Sequence, residues 1–419
     1  MFDHASQSGM IAKSQSVCRA CGNTDLHAIL SLGDTPLANR LLSDEQLSEV
    51  EPTFPLDLVM CRNCSLVQIT ETVPAEALFS DYAYFSSFSD TMLAHVEQLT
   101  KRLQAEHKLS GQSLAIEIAS NDGYLLQYYQ RAGIPVLGIE PAANVAKVAR
   151  EKRHVPTLTN FFSSELASRL ASRLQRADVL HANNVLAHVS ELNDVVAGIR
   201  IALKDRGVAI VEVPYVKDLL DHVEFDTIYH EHLCYFSLTA LHRLFEQNGL
   251  TVIDVERVPI HGGSLRVFAA RQGQGHVRVS QLLDEEQSWQ VDQPACYRDF
   301  GNRVDQLRKE LVTLLTQIKE DGQRIAVYGA SAKGSTLLNC FGIGAELLDF
   351  VVDRSTVKQG HYTPGTHLKI FAPEKLLEEQ PDYCLLLSWN FAEEILSQQA
   401  AYRLAGGKFI IPIPELKVA

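Results

Sequence analysis

Short apolar runs alternate with segments of helical spacing in two parts of the chain. In the first part, the apolar runs cover residues 114–118, 136–140, 178–182 and 208–213. In the second part, they cover residues 324–329, 348–353, 383–387 and 408–411. Such runs are typical of strands buried on both faces of a parallel sheet. Because strands that alternate with helices form doubly wound sheets, the pattern predicts two Rossmann-like α/β domains.

The N-terminal part of the chain lacks this alternation. Residues 1–14 have the pattern of a disordered tail, and residues 15–75 contain four prolines that mark irregular connections. Residues 76–110 read as helical, with several aromatic side chains near their start. We therefore divide the chain into a small lobe over 15–75, a middle domain over 76–300 and a C-terminal α/β domain over 301–419.

The composition is that of a folded protein without a generally basic surface. Hydrophobic residues make up 46% and charged residues 21% of the 419 residues, which argues against a disordered chain. The formal net charge is −13, so we expect no nucleic-acid partner and no anionic membrane partner. The sequence contains neither an apolar run of membrane-spanning length nor an apolar signal-peptide core. We therefore expect a cytoplasmic protein.

Four of the eight cysteines stand in two Cys-x-x-Cys pairs, Cys18 with Cys21 and Cys61 with Cys64. Disulfides are disfavoured in a reducing compartment, so such pairs indicate a metal site. Each turn holds two thiolates about one tetrahedral edge apart, and two turns complete a structural zinc site. The 39 residues between the pairs predict a small lobe folded between two knuckle turns, not a DNA-reading finger. A redox pair and two unrelated turns are the alternatives.

The turn after the first predicted strand of the middle domain lacks the glycine pattern of a dinucleotide loop. Acids such as Glu117 and Asp122 repel a pyrophosphate, but they suit the sulfonium and amino groups of S-adenosylmethionine (SAM). Glu140 ends the second strand, where an acid accepts hydrogen bonds from ribose hydroxyls. The spacing therefore favours SAM over a nicotinamide cofactor, and a turn without a cofactor is the third interpretation. The candidate SAM ligands are Glu117, Ala119, Asn121, Asp122, Gly123, Glu140 and Asn183.

The densest group of titratable side chains is Tyr229-His230-Glu231-His232, after the fourth predicted strand. Buried titratable groups are costly unless each is paired or used. Histidine is the natural general base near neutral pH, and a neighbouring carboxylate can set its tautomer. We interpret the cluster as catalytic. A satisfied structural network and a metal site on the His-x-His pair are the alternatives.

A second polar cluster lies on the same edge of the predicted sheet. Asn184 and His188 follow the strand over 178–182 and are four residues apart. On one helical turn both side chains face the same side, where they can hydrogen-bond one substrate oxygen. The alternatives are a helix cap for Asn184 and a satisfied core histidine for His188.

Seven ordered motifs make the chain resemble a known family over about residues 16–415. They are Cys-x-x-Cys…Cys-x-x-Cys, Tyr-x-Tyr-x-Ser-Ser-x-Ser, Glu-Ile-x-Ser-Asn-Asp-Gly, Asn-Asn-Val-Leu-Ala-His, Tyr-His-Glu-His-x-x-Tyr-Phe, His-Gly-Gly-Ser-Leu-Arg and Tyr-Gly-Ala-Ser-Ala-Lys-Gly. Together they resemble the three-domain, zinc-containing, SAM-dependent sugar C-methyltransferases. The resemblance implies structural zinc in the lobe and SAM in the middle domain. It also implies a nucleotide-linked 4-keto deoxysugar as substrate, held in part by the C-terminal domain.

The resemblance further implies a role for each matching residue. His232 matches the base that removes the proton at C3 of the sugar, next to the C4 ketone, so that the enolate can attack the SAM methyl group. Tyr229 and Glu231 match side chains close to this base, and Asn184 and His188 match groups beside the ketone. The remaining matches are Tyr82 or Tyr84 for an aromatic near the reacting carbon, and Glu140 for the ribose.

The C-terminal domain carries a ligand-binding pattern of its own. The turn from Tyr328 to Lys333 resembles a dinucleotide loop, and Asp353 ends the next strand, so this domain taken alone suggests NAD. Within the family, the domain instead resembles a fold that supplies part of the sugar-nucleotide site. The backbone N–H groups of the turn and Lys333 could hold a phosphate there, and a packing turn without a ligand is the alternative. The candidate substrate-binding residues are Tyr84, Arg266, Ser331 and Lys333, with Trp389 and Asn390 as further candidates to line the cleft.

Three other functions fit parts of the sequence. In an O-methyltransferase, His232 would deprotonate a hydroxyl and no ketone would be required. In an oxidoreductase, the C-terminal domain would bind NAD. A zinc scaffold would bind sugar nucleotides without catalysis. The acidic charge and the closed three-domain plan predict a monomer.

Overall fold

The computed structural model describes residues 13–79, 85–173, 175–260 and 262–419. The strands are β1 (Lys13–Ser14), β2 (Leu26–Pro36), β3 (Thr53–Cys61), β4 (Val67–Ile69), β5 (Glu71–Thr72), β6 (Ala115–Ile118), β7 (Val136–Ile139), β8 (Thr157–Leu158), β9 (Ala177–Asn183), β10 (Leu203–Pro214), β11 (Cys234–Tyr235), β12 (Thr251–Val258), β13 (Ser264–Ala270), β14 (Ile325–Tyr328), β15 (Val351–Val352), β16 (Ile370–Phe371), β17 (Tyr383–Leu386), β18 (Lys408–Ile411) and β19 (Lys417–Val418).

Helices connect most of these strands. The α-helices are α1 (Ala75–Phe79), α2 (Asp90–Glu106), α3 (Leu126–Arg131), α4 (Ala143–Lys152), α5 (Ser164–Arg173), α6 (Leu192–Ala202), α7 (Val216–Asp221), α8 (Leu238–Gln247), α9 (Val277–Ser288), α10 (Phe300–Glu320), α11 (Ala332–Phe341), α12 (Lys375–Glu379), α13 (Ala392–Gln398) and α14 (Ala400–Leu404). Short 3₁₀ helices cover Glu45–Ser48, Ser86–Phe88, Leu186–His188, Phe225–Thr227, Pro294–Tyr297 and Trp389–Phe391. Among the described helices, none combines the length and apolarity that crossing a bilayer requires.

The N-terminal lobe is built on an antiparallel sheet that a strand of the middle domain completes. Its strands run in the order β11-β4-β3-β2. The stretch between the two cysteine pairs supplies β2 and most of β3, which gives the predicted lobe its core. Strand β11 pairs with β4 through Cys234 opposite Gln68 and Tyr235 opposite Val67. Because β11 follows directly on the Tyr-His-Glu-His cluster, the lobe anchors one end of that cluster.

The middle domain contains a seven-stranded sheet in the order β12-β13-β10-β9-β6-β7-β8. The strands from β10 to β8 are parallel, and they include all four strands that the apolar runs predict. Strands β12 and β13 add an antiparallel edge that the pattern did not assign. Strand β6 lies between β7 and β9, so the order reverses there, and ligands of such sheets bind at the carboxyl ends at this point.

The C-terminal domain repeats this plan in a six-stranded sheet ordered β16-β15-β14-β17-β18-β19. Every neighbouring pair is parallel except β18 with β19. The four predicted strands correspond to β14, β15, β17 and β18. Strand β14 lies between β15 and β17, so its carboxyl end is a second point where the order reverses. The two Rossmann-like domains are therefore confirmed.

The predicted helix at the start of the middle domain is wrong as a single element, because the chain there forms α1, a 3₁₀ helix and α2. Ser89 explains where α2 begins, since its hydroxyl accepts the N–H of Met92 at 3.2 Å and caps the helix. The candidates Tyr82 and Tyr84, and also His261 of the Gly-Gly turn, lie outside the residues that the structure describes.

Candidate active site

A cavity of about 590 Å³ lies where the carboxyl edges of both parallel sheets meet the N-terminal lobe. Its wall includes residues that follow β6, β7 and β9 in the middle domain and β14, β15 and β17 in the C-terminal domain. The sequence candidates that line it are Ala119, Asn121, Glu140, Asn183, Asn184, His188, Tyr229, His232, Ser331 and Lys333. The structure thus brings these ten candidates, together with the further candidate Asn390, from two domains to one place.

The four paired cysteines converge in the N-terminal lobe. Their Sγ atoms all lie within 4.8 Å of one another, with Cys18 and Cys64 3.4 Å apart and Cys21 and Cys61 3.6 Å apart. Zinc–sulfur bonds of about 2.3 Å place tetrahedral thiolates about 3.8 Å apart, so the cluster fits zinc. In both pairs, the N–H four residues after the first cysteine donates to its carbonyl at 2.9 Å. The two turns therefore have the predicted matching geometry.

Glu140 is buried at the carboxyl end of β7, and it lines the cavity. One of its oxygens accepts the N–H of Asn121 at 2.9 Å, and the other accepts the N–H of Ala142 at 2.8 Å. Burial raises the pKa of Glu140 to about 7, against the effect of these two donors. Because each carboxylate oxygen has two lone pairs, Glu140 can also accept from the hydroxyls of a ligand.

The loop after β6 and the end of β9 both line the cavity. Ala119 and Asn121 have φ values of 50° and 48°, in the left-handed region that non-glycine residues rarely adopt. Both polar atoms of the Asn183 amide, and Oδ1 of Asn184, are buried without a hydrogen-bond partner among the described residues. Such atoms are costly unless a ligand or water satisfies them. The ribose and amino-acid parts of SAM fit this set of donors and acceptors.

Three predicted SAM ligands do not line the cavity. Asp122 pairs with Arg153 at 3.2 Å between Oδ2 and Nη1. A Cβ on Gly123, which has a φ of 77°, would lie 3.1 Å from a methyl carbon of Val155. Glu117 is buried, and burial raises its pKa well above the ordinary value. These residues thus pack against the loop on the side that does not face the cavity.

His232 lines the cavity with a fixed ring. Its Nδ1 lies 2.8 Å from the carbonyl oxygen of Thr227, which can only accept, so Nδ1 carries the hydrogen. In the neutral ring, Nε2 then has the lone pair and accepts the hydroxyl of Tyr229 at 2.8 Å. The centroids of these two rings are 4.0 Å apart. The cavity therefore contains an imidazole acceptor beside a phenol donor.

His188 provides a second neutral imidazole, with its ring centroid 4.7 Å from that of His232. Its Nδ1 donates to the backbone carbonyl of Glu231 at 2.8 Å. Burial lowers the pKa of His188 to about 4, so the ring is neutral near pH 7 and its Nε2 is an acceptor. Such a group suits a substrate hydroxyl better than the ketone oxygen that the resemblance implies.

The other two members of the Tyr-His-Glu-His cluster bind the N-terminal lobe. Both carboxylate oxygens of Glu231 accept from Nδ2 of Asn39, at 2.8 and 2.9 Å. Nε2 of His230 lies 3.1 Å from the carbonyl oxygen of Pro55. Within the described residues, the only metal-ligand group found is the cysteine cluster, which argues against the His-x-His metal alternative. Asn39 lines the cavity, and sequence reasoning missed it because no motif marks it.

The C-terminal domain repeats the arrangement that holds Glu140. One oxygen of Asp353 accepts the N–H of Ala330, and the other accepts the N–H of Ser355, each at 2.8 Å. The turn between β14 and α11 is tight, because a Cβ on Gly329 would lie 2.3 Å from Oγ of Ser388. Asp353 therefore fixes the turn whose edge faces the cavity.

Two predicted substrate-binding residues lie on this turn. Ser331 caps α11, where its hydroxyl accepts the N–H of Gly334 at 3.1 Å. Nζ of Lys333 lies 4.3 Å from the centroid of the Trp389 ring. Asn390 lines the cavity, whereas Trp389 lies behind its wall. The helix N-terminus and the ammonium together make this edge attractive to an anion.

Arg266, a predicted substrate-binding residue, does not line the cavity. It donates from Nε to Glu212 at 2.6 Å and from Nη1 to Glu256 at 3.1 Å, and its Nη2 lies 3.0 Å from Nε2 of His95. Burial acts to raise the pKa of Glu212, but His95 and Arg266 lower it to about 2. Since β13 lies between β10 and β12, Arg266 joins three strands to helix α2 in a buried network.

Replacing Arg266 with alanine is expected to lower the free energy of unfolding by about 3–5 kcal/mol, because it leaves the buried carboxylate of Glu212 without its guanidinium partner. Arg271→Ala is the matched control on the end of the same strand. Its partner Asp205 is 91% exposed, so the expected loss is below about 1 kcal/mol. Denaturant titration of both variants measures this difference, and equal losses would rule out the structural role.

The three parts of the chain match three domain families. Residues 18–79 match a zinc binding domain, residues 92–255 a methyltransferase domain, and residues 259–414 the C-methyltransferase C-terminal domain. Among solved structures, the chain is similar to magnesium protoporphyrin IX methyltransferase (ChlM) from Synechocystis PCC 6803 with bound SAH. The identity is 16%, with 43% of this chain and 83% of that chain covered and a TM-score of 0.35. A SAM-dependent methyltransferase from Clostridium acetobutylicum ATCC 824 is 12% identical, with coverage of 42% and 91% and a TM-score of 0.35.

These domains define the class of protein as a SAM-dependent methyltransferase with a zinc-binding lobe. Over 404 residues, which are 96% of both chains, the sequence is 38% identical to the C-methyltransferase NovU of Streptomyces niveus. The chain therefore belongs to the C-methyltransferase family that includes NovU. Membership sets aside the O-methyltransferase, the oxidoreductase and the non-catalytic scaffold, and the cofactors are SAM and zinc.

Proposed function

We propose that this C-methyltransferase methylates a nucleotide-linked 4-keto deoxysugar at C3, with His232 as the base. The observation that carries the proposal is the fixed imidazole of His232 in the cavity. Its Nδ1–H is held by the carbonyl of Thr227, so Nε2 is the acceptor. A sugar carbon becomes nucleophilic only when a neighbouring ketone lets its proton leave as an enolate. An oriented base beside hydrogen-bond donors is the arrangement that this step requires.

Tyr229 is a hydrogen-bond donor next to the base. Its hydroxyl donates to the lone pair of His232 Nε2 at 2.8 Å. When the C–H bond of the sugar takes that position, the hydroxyl becomes available to the ketone oxygen. Donation from Tyr229, and from the amide Nδ2 of Asn184, would stabilise the negative charge that develops as His232 Nε2 receives the proton. His188, a neutral acceptor, would orient a sugar hydroxyl instead.

The nucleotide part of the substrate suits the C-terminal edge of the cavity. Lys333 supplies a positive charge there, and Ser331 begins helix α11, whose N-terminal dipole favours a phosphate. Both residues line the same cavity as His232. A substrate whose diphosphate lies at this edge can thus extend its sugar toward the imidazole.

The SAM part of the cavity is the edge near Glu140 and Asn183. When bound, SAM supplies an electrophilic methyl group on a sulfonium. Glu140 would accept the ribose hydroxyls, and the unpartnered amide of Asn183 would hydrogen-bond the amino-acid part. Phe79, Phe85 and Met92 also line the cavity, and such side chains exclude water from the enolate.

Glu140→Gln is expected to weaken SAM binding by about 10- to 100-fold, the loss typical of a charge-assisted hydrogen bond. The binding should also depend on pH. Because the pKa of Glu140 is raised to about 7 and hydroxyl donors favour the carboxylate, affinity should rise as pH increases through 7 and level off above it. Calorimetric titration with SAM between pH 6 and pH 8.5 measures both effects.

The control for this prediction is Glu165→Gln, since the Glu165 side chain is 82% exposed at the start of α5. This substitution should leave both the affinity and its pH dependence unchanged. A Glu140→Gln variant that keeps the rise in affinity through pH 7 would show that another group titrates. If the variant also bound SAM as tightly as the wild type, Glu140 would not be the ribose ligand.

The substrate proposal is tested by incubating the enzyme with SAM and a panel of nucleotide-linked 4-keto deoxysugars that carry deuterium at C3. We expect a product with a carbon-bound methyl group at C3 and loss of the deuterium. A methyl group at C5 would correct the position and keep the mechanism. A methyl group bound to oxygen with the deuterium at C3 retained, or no product with any member of the panel, would refute the proposal.

A further inference from the structure

One backbone segment holds the Nδ1 side of the His232 ring. The carbonyl that fixes its ring belongs to Thr227, the last residue of the 3₁₀ helix Phe225–Thr227. This carbonyl also accepts the hydroxyl of Tyr235 at 3.3 Å. A displacement of the segment would therefore move the hydrogen-bond partner of the base.

The C-terminal domain holds this segment through a buried acid. Asp226 is fully buried, and its Oδ2 accepts the indole N–H of Trp389 at 2.6 Å. Its Oδ1 is buried with no hydrogen-bond partner among the described residues. Trp389 follows β17 in the C-terminal domain and is 6% exposed. In the described part of the chain, the indole is thus the side-chain hydrogen-bond donor to this carboxylate, and the backbone N–H groups of Asp226 and Thr227 also act on it.

Two weaker contacts support the same segment from helix α11. The hydroxyl of Thr336 donates to the carbonyl of Ile228 at 3.2 Å. The rings of Phe225 and Phe341 stack with centroids 4.7 Å apart and an interplanar angle of 18°. Neither of these two contacts involves a charge, so the Asp226–Trp389 hydrogen bond is the strongest of the three contacts.

The same tryptophan also contacts Lys333, a candidate to bind the phosphate of the substrate. Nζ of Lys333 lies over the Trp389 ring, 4.3 Å from its centroid. Burial raises the pKa of Asp226 to about 6, and the charge of Lys333 opposes this rise. Near pH 7 the acid is therefore mainly ionised. The indole of Trp389 then lies between the carboxylate of Asp226 and the ammonium of Lys333.

We propose that Asp226 and Trp389 are a positioning pair through which the C-terminal domain sets the orientation of His232. The proposal rests on the proposed role of His232 as the base. Neither residue lines the cavity, so both act through Thr227 and not on the substrate. The pair links the domain that receives the nucleotide to the group that removes the proton.

Trp389→Phe tests the pair, because it replaces the indole with a phenyl ring. The variant keeps an aromatic ring near Lys333 and removes the N–H donor. The buried carboxylate of Asp226 then loses its side-chain donor, and the segment should shift to compensate for the loss. A displacement of about 1 Å at a reacting group can cost about 100-fold in rate. We therefore expect kcat to fall by about 10- to 100-fold, with the KM for SAM unchanged.

The chain offers a matched control. Trp289 is the other of its two tryptophans, and Lys217 lies over its ring at 5.4 Å from the centroid. Trp289→Phe therefore removes the same atoms from a similar cation–ring contact outside the cavity wall, and it should leave kcat unchanged. Asp226→Asn is the conservative variant, since its amide oxygen still accepts from Trp389, and it should retain most of the wild-type kcat.

The experiment measures kcat, both KM values and the midpoint of thermal unfolding for the wild type and these three variants with a 4-keto sugar nucleotide. A large loss of kcat in Trp389→Phe, with activity kept in Asp226→Asn, supports the pair. A Trp389→Phe variant with wild-type kcat overturns the proposed pair. This holds even if its unfolding midpoint falls, because the role of Trp389 is then only structural. A wild type that methylates no keto sugar refutes the proposed function instead, and the positioning role with it.

Discussion

His232→Ala is expected to lower the rate of methyl transfer by about 10²- to 10⁴-fold, which is the usual contribution of a general base. The imidazole in the cavity has its Nδ1–H held by Thr227 and its Nε2 next to Tyr229. No carbon next to the ketone can lose its proton to an alanine side chain. SAM binding should be unaffected, because the SAM candidates lie at the ends of β6, β7 and β9. Rate measurement and calorimetry on the same preparation separate the two effects.

His232→Asn strengthens this test, because an asparagine amide can still donate to the carbonyl of Thr227 but is not a base. It should be as inactive as the alanine variant. The control is His242→Ala on helix α8, whose side chain pairs with Glu246, itself 77% exposed, and it should be fully active. Wild-type turnover in either His232 variant would exclude this residue as the base.

Loss of zinc is expected to destabilise the N-terminal lobe and to lower the activity. Cys61→Ser removes one of four thiolates, so the zinc content should fall from one per chain to none. The lobe holds the catalytic segment through Asn39 with Glu231 and through pairing of β11 with β4. Without the metal these contacts should loosen, and we expect kcat to fall by about 100-fold through misplacement of His232. Metal analysis and initial rates measure the two quantities.

Cys296→Ser is the control for the zinc prediction, because Cys296 is a solitary, half-buried cysteine outside the cluster. It should keep its zinc and its activity. If the zinc-free Cys61→Ser protein turned over like the wild type, the lobe would have no part in positioning the base.

The strands of the two α/β domains could be predicted because their side chains are buried on both faces and so read as short apolar runs. The cysteine turns could be predicted because metal geometry restricts their spacing. The polar residues after β6, β7 and β9 could be placed on one edge of a sheet for the same topological reason, and the structure brings most of them to the cavity.

The contacts between domains could not be predicted in this way. Asn39 binds Glu231 across 192 positions, and Trp389 binds Asp226 across 163. Neither pair belongs to a periodic pattern or a local motif. Arg266 was misplaced for a related reason, because its role depends on β13 lying between two strands that both carry an acid at the facing position. Such registers follow from the assembled sheet.

The central claim is that His232 makes the carbon next to a ketone nucleophilic. The most direct measurement is incubation of wild type and His232→Asn with a nucleotide-linked 4-keto deoxysugar in D₂O, with S-adenosylhomocysteine in place of SAM, followed by mass analysis of the sugar. We predict that the wild type introduces deuterium at C3 faster than the uncatalysed reaction and that the variant does not. Equal incorporation by both proteins would contradict the account.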